Sequence, residues 1–291
     1  MNDHNETEVV QSSPSTDDRK ADFSTQQAEM RSKMFDLMLT LSRTQDNNKN
    51  ILFPAESIVQ ENPKSRKEQI EEIRKSFLKA LGNGFENMED TEFSSKTILI
   101  TGFEPFDGEE INPSWEAVSR LPDKINGYRL LKWQLPVVFG EAADIALAVA
   151  DTVSPDAILC VGLAGGRAAI TPELVAINLR HARIPDNMGN QPQDESIIKG
   201  GETAYFSTLP VRKMAEAMSE AGIPSQLSYT AGAYVCNDLL YTLLAHFQNT
   251  QTKVGFVHIP YAKEQGKEPS MEMVELVRGL TVAIENMETE Q

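Results

Sequence analysis

The run Ala157-Ile158-Leu159-Cys160-Val161 is apolar at every position. A strand with one wet face alternates apolar and polar residues; a run without alternation suits a strand covered on both faces. Such a strand calls for helices on either side of its sheet. From residue 96 onward the chain supplies them. Thr97-Ile98-Leu99-Ile100-Thr101, residues 128–135 and Val254-Gly255-Phe256-Val257-His258-Ile259 read as further strands, with shorter candidates at 174–177 and 226–229. Between them, 141–153, 211–221 and 237–248 carry apolar residues at helical spacing, and 270–287 reads as a closing helix. Strands separated by helices put this region in the α/β class. We expect a single three-layer α/β/α domain with a mixed, largely parallel twisted sheet over 96–291.

The first 95 residues differ in composition. Residues 1–23 are rich in Asn, Asp, Ser, Thr and Gln and are expected to be disordered. Two amphipathic helices are expected near 25–43 and 66–81. Ser24 with Gln27, and Ser65 with Glu68, have capping-box spacing. Met30, Met34, Leu37, Met38 and Leu41 form one apolar stripe; Ile70, Ile73, Phe77, Leu78 and Leu81 form the other. A stripe of this kind faces a core. Packing on the following domain or on each other is therefore expected, with a partner-binding or self-association arm as the alternative.

Charge and cysteine usage narrow the functional classes. The formal net charge is -16, which excludes a generic nucleic-acid surface. No run of about 18 apolar residues occurs, so no membrane helix is expected. The polar, acidic start Met1-Asn2-Asp3-His4-Asn5-Glu6 lacks the pattern of a signal peptide. Only two cysteines occur, Cys160 and Cys236, in different contexts, which suits a reducing, cytoplasmic compartment.

The chemistry concentrates around Ala231-Gly232-Ala233-Tyr234-Val235-Cys236-Asn237-Asp238-Leu239-Leu240-Tyr241. Cys236 falls between a Gly-containing turn and a helical stripe. A helix N-terminus lowers a thiol pKa and favours the nucleophilic thiolate; a buried, inert cysteine is the other reading. His246 lies ten residues along the same helix, roughly 15 Å away at helical rise. His181 and His258 remain as candidate bases, and His258 ends an apolar strand, where sites collect in α/β sheets. Glu173, entering the strand candidate at 174–177, is either an exposed edge charge, which the residues alone favour, or a buried partner of an imidazole. Gly162-Leu163-Ala164-Gly165-Gly166-Arg167 lacks the spacing of nucleotide-binding loops and reads as a tight turn. No metal-ligand spacing is present, and no metal or cofactor is expected.

Several ordered motifs resemble the type I pyroglutamyl peptidases, a family of cysteine peptidases. They are Thr101-Gly102-Phe103-Glu104-Pro105-Phe106, Ile111-Asn112-Pro113-Ser114-Trp115-Glu116, Leu135-Pro136-Val137-Val138-Phe139 and the loop at 162–167. Glu173 to Asn178, Ala182-Arg183-Ile184-Pro185-Asp186-Asn187, Ala204-Tyr205-Phe206-Ser207-Thr208-Leu209-Pro210 (a match in part), the Cys236 segment and Gly255-Phe256-Val257-His258-Ile259-Pro260-Tyr261 complete the set. The resemblance implies Cys236 as nucleophile, His258 as general base and acid, and Glu173 as the residue orienting the imidazole. It implies substrate contacts from Phe103, Phe106, Arg183, Tyr234 and Val235. The substrates implied are peptides with an N-terminal pyroglutamyl residue, and a homo-oligomer, often a tetramer in the family, is implied as well. Leu163, His181 and Asp107 stand where the family often has Gln, Asp and Gly. Two other readings are an inactive peptide-binding homologue and a nucleoside phosphorylase-like enzyme on a similar fold.

Overall fold

The structure is a computed structural model that describes residues 96–288. The segment 1–23 expected to be disordered, and the helices expected near 25–43 and 66–81, lie outside the described residues.

In chain order the elements begin β1 (Thr97–Phe103), α1 (Pro113–Arg120), β2 (Lys124–Ile125), β3 (Tyr128–Leu135), α2 (Glu141–Val153) and β4 (Ala157–Leu163). They continue with β5 (Thr171–Pro172), β6 (Val175–Ile177), β7 (Ala204–Phe206), α3 (Val211–Glu220) and α4 (Val235–Phe247). β8 (Lys253–Ile259), β9 (Tyr261–Ala262), β10 (Ser270–Met271) and α5 (Met273–Glu285) close the chain. Six strands form one sheet in the order β2-β3-β1-β4-β8-β5. The four long strands β3, β1, β4 and β8 run parallel, and the short edge strands β2 and β5 run antiparallel to their neighbours. The mixed, largely parallel sheet expected from the sequence is present.

Both sheet faces are covered. Ile98, Ile100, Leu159, Val161, Val257 and Ile259 share a core with Val118 of α1, Met214 and Met218 of α3, and Leu276 and Leu280 of α5. The alternate residues Leu99, Ile158, Cys160 and Phe256 are equally buried and point the other way. α2 and α4 pack against each other, with α4 on β8. Burying each such aliphatic side chain is worth about 1.5–3 kcal/mol. The unbroken apolar run of β4 thus follows from its central place in the sheet.

The structure differs from the sequence expectation in its short elements. The strand candidate at 226–229 forms only one isolated bridge, Ser228 with Glu173, next to a bridge of Ser225 with Ile170 just before it. The closing helix starts at Met273, because Ser270 and Met271 pair with β9. α1 is a helix that apolar periodicity does not announce. Its start is fixed by Asn112, whose Oδ1 accepts from the Ser114 amide at 3.1 Å, with Pro113 in the first turn. Asn112 Nδ2 also donates to the Glu104 carbonyl, and the Phe103 amide donates to Ser114 Oγ. One cap therefore anchors both ends of the loop that carries Phe106.

Candidate active site

The site forms at the carboxyl ends of β4 and β8. His258, near the end of β8, stands in register with Gly162 of β4 on one side and Thr171 of β5 on the other. Because β5 is antiparallel, the chain turns Glu173 back toward the same strand, and the Glu173 amide donates to the Phe256 carbonyl at 2.9 Å. Glu173 Oε1 lies 2.7 Å from His258 Nδ1. A carboxylate can only accept, so Nδ1 carries the proton and Nε2 is left as the acceptor. Glu173 is fully buried. The exposed edge charge that the residues alone favour is thereby corrected. β5 is only two residues long, and the acid leaves it inward, beneath the segment containing Ser228.

Cys236 is the second residue of α4, after the extended N-cap Tyr234. The first intrahelical bond is the Asp238 amide to the Tyr234 carbonyl. By helix geometry the amides of Val235, Cys236 and Asn237 precede that bond and face out of the helix end. A Cβ built on Gly162 would lie 3.0 Å from Cys236 Sγ and 2.7 Å from the Phe256 ring. The sulfur therefore rests against the strand position paired with His258, and only glycine leaves it room. Sulfur and imidazole are not hydrogen-bonded to each other.

Burial acts on each ionisable group of the site, beside the helix terminus that the sequence reading invoked for a thiolate. Cys236 is partly exposed as a residue, and its sulfur rests against the Gly162 backbone. Burial, then the negative charge of Glu173, push the thiol up to about 12, against a smaller opposing pull from Arg167 and the cysteine's own amide. Burial also pushes His258 below its ordinary value, although Glu173 pulls it the other way. For Glu173, burial alone would raise the carboxyl. The hydrogen bond and charge of His258, helped by Ser228 and Arg167, bring it below the usual carboxylate range. Burial thus favours the uncharged thiol and imidazole, and the imidazole and Arg167 favour the ionised carboxylate. Desolvation outweighs the helix terminus here.

His181 and His246 are engaged at the surface. His181 Nδ1 lies 2.9 Å from Asp194, and His246 Nε2 lies 3.1 Å from Asp151. Cys160 is fully buried in β4, and burial raises its thiol to about 12.

The expected substrate contacts fall into three groups. Phe106 and Tyr234 face each other with ring centroids 6.4 Å apart, and Phe139 meets Tyr234 edge-on at 5.2 Å. Phe103 and Val235 are interior. Phe103 reaches the site through Phe256, whose ring lies 4.7 Å from the imidazole. Val235 can offer a ligand only its backbone. Arg183 is exposed, and its carbonyl accepts from Gln191.

Sequence reasoning missed four supporting groups. Arg167 bonds Glu173 and Thr171. Asp186 gathers the amides of Phe139, Met188 and Asn190. Asn237 clamps Ile177 and Leu179, and Asp238 pairs with Arg180 at 2.7 Å. The signal for the last two was the same segment as Cys236: polar residues in the first turn of a helix that is otherwise deeply apolar.

A sheet covered on both faces, with a cysteine at a helix start beside a histidine–carboxylate pair at its strand ends, suits a cysteine-type peptidase of the α/β class. A model of the pyroglutamyl peptidases matches residues 96–290, and the chain belongs to that family. It is 51% identical over 195 residues to a pyrrolidone-carboxylate peptidase of Escherichia fergusonii, covering 65% of this chain and 91% of the relative. It is 47% identical over 194 residues to one of Erwinia tasmaniensis, with the same shares covered. Among solved structures, pyroglutamyl peptidase I of Bacillus amyloliquefaciens superposes with a TM-score of 0.64 at 43% identity, over 66% of this chain and 96% of that one. A mutant pyrrolidone carboxyl peptidase of Pyrococcus furiosus gives 0.63 at 40%, over 66% and 97%.

Proposed function

We propose that this chain removes N-terminal pyroglutamyl residues from peptides, with Cys236 as nucleophile, His258 as general base and acid, and Glu173 as the group that orients the imidazole. The observation that carries the reading is the Glu173–His258 pair at 2.7 Å beside the Gly162 position against which the Cys236 sulfur rests.

With thiol and imidazole both neutral at rest, the proton leaves sulfur as the sulfur attacks. His258 Nε2 takes it while Sγ bonds to the carbonyl carbon linking pyroglutamate to the next residue. The amides at the start of α4 face the developing oxyanion. Collapse of the tetrahedral species breaks the C–N bond, and His258 returns the proton to the departing amine. Water, deprotonated by the same imidazole, then hydrolyses the thioester and releases pyroglutamate and the free thiol. Glu173 keeps Nδ1–H fixed through both halves and offsets the imidazolium charge.

A pyroglutamyl residue is a closed lactam with no charged α-amine. The aromatic group of Phe106, Tyr234 and Phe139 gives such a ring apolar surface. A charged amine placed there would lose its hydration without a partner. Matched reporters with pyroglutamyl, glutaminyl and prolyl termini test this. Turnover of the pyroglutamyl reporter alone is expected; equal rates on all three contradict the proposed specificity.

A further inference from the structure

The loop at 162–167 does more than join two strands. Gly165 passes beneath the Tyr261 ring with no room for a Cβ, and Gly166 has φ +86°. These two glycines let the chain double back, so that Arg167, whose amide donates to the Ala164 carbonyl at 3.2 Å, aims its side chain inward. Arg167 Nη1 lies 2.6 Å from Glu173 Oε1 and 2.5 Å from Thr171 Oγ1. The carboxylate oxygen it contacts is the one that accepts from His258 Nδ1.

That sharing matters because Glu173 has no contact with solvent. A buried carboxylate needs a cation. Among the described residues two are within reach of it: the guanidinium, and an imidazolium made by protonating His258. The second would destroy the general base. Among the described residues the titratable and charged groups around the imidazole are Glu173 from the segment after β5, Arg167 from the β4–β5 loop and Cys236 from α4, with Cys160 behind it in β4. Arg167 is the one permanent cation among them.

We propose that Arg167 is a positioning residue: the standing counter-ion of Glu173, which keeps the carboxylate charged and gripping Nδ1–H without requiring a proton on Nε2 of His258. The inference rests on the catalytic reading above. Thr171 serves it by holding the guanidinium, and its hydroxyl also lies 3.4 Å from the His258 carbonyl.

The test is the pH profile of kcat and kcat/KM on a pyroglutamyl-amide reporter for the wild type, Arg167→Gln, Arg167→Lys and Thr171→Val, with Cys236→Ala as control. Arg167 opposes protonation of His258. In Arg167→Gln the acidic limb is therefore expected to move to higher pH. kcat at neutral pH should fall about 10- to 100-fold, part of what a positioned acid–base group supplies, with KM unchanged. Arg167→Lys, which keeps the charge, should return the limb toward the wild-type position and recover most of kcat. Thr171→Val should shift the limb in the same direction by less, and it leaves acid, base and guanidinium in place should Arg167→Gln fail to fold. An unmoved acidic limb in folded Arg167→Gln, a loss confined to KM, no rescue by Lys, or a wild-type profile in Thr171→Val overturns the inference alone. A wild-type chain inert toward the reporter, or an active Cys236→Ala, overturns the catalytic reading as well.

Discussion

Cys236 sits where a helix terminus and desolvation act on one thiol in opposite directions, and desolvation dominates. Its thiol is held at about 12, mainly by burial. Alkylation of the free enzyme by iodoacetamide should therefore keep accelerating as pH rises through neutrality and beyond, because the thiolate fraction keeps growing. A plateau reached below about pH 7.5, the upper end for activated cysteines, would mean a preformed thiolate and contradict this. The histidines separate as cleanly. His258→Ala should lower kcat/KM by about 10²–10⁴, whereas His181→Ala and His246→Ala, which remove only surface contacts to Asp194 and Asp151, should leave it nearly unchanged. Kinetics on the three folded variants decide the matter; equal losses for His181 and His258 would leave the base unassigned. At this scale the position of Cys236 was legible, because a glycine turn followed by an apolar helical stripe marks a helix start. The burial of Glu173 was not. It depends on β5, a two-residue strand that contributes no periodicity, and on Arg167, which a local reading takes as the end of a turn.

Helix α4 holds its sulfur in place through its polar first turn. Asn237 is fully buried and makes three hydrogen bonds to the β6 segment: it accepts from the Ile177 amide at 2.9 Å and donates to the Ile177 and Leu179 carbonyls at 2.9 and 3.0 Å. Asp238 adds a pair with Arg180 and accepts from the Gly140 amide at 2.6 Å. An orphaned buried polar group costs about 1–3 kcal/mol, so Asn237→Ala should lose about 3 kcal/mol of unfolding free energy in denaturant melts. A loss under about 0.5 kcal/mol, the size of an ordinary surface change, would contradict the clamp. The long elements were readable because their patterns are long: 128–135 and 141–153 emerge with the expected bounds. α1 was not, since its definition rests on the Asn112 cap and a following proline rather than on a stripe. The strand candidate at 226–229 has β propensity but only one isolated bridge, and pairing rather than propensity decides a strand.

The described catalytic region, residues 96–288, contains every residue named in the mechanism. The relatives match it over 91% or more of their own length. A fragment covering 96–291 is therefore expected to hydrolyse the pyroglutamyl reporter with the kcat/KM of the full chain. An inactive but folded fragment would contradict a self-sufficient catalytic region. The central claim, that this chain is a thiol-dependent pyroglutamyl peptidase, is tested most directly by release of a chromophore from a pyroglutamyl-amide reporter, using the purified full chain beside Cys236→Ala. Steady release by the wild type, with none above background from a folded Cys236→Ala, is the predicted result. No release by the wild type, or equal release by both, would contradict it.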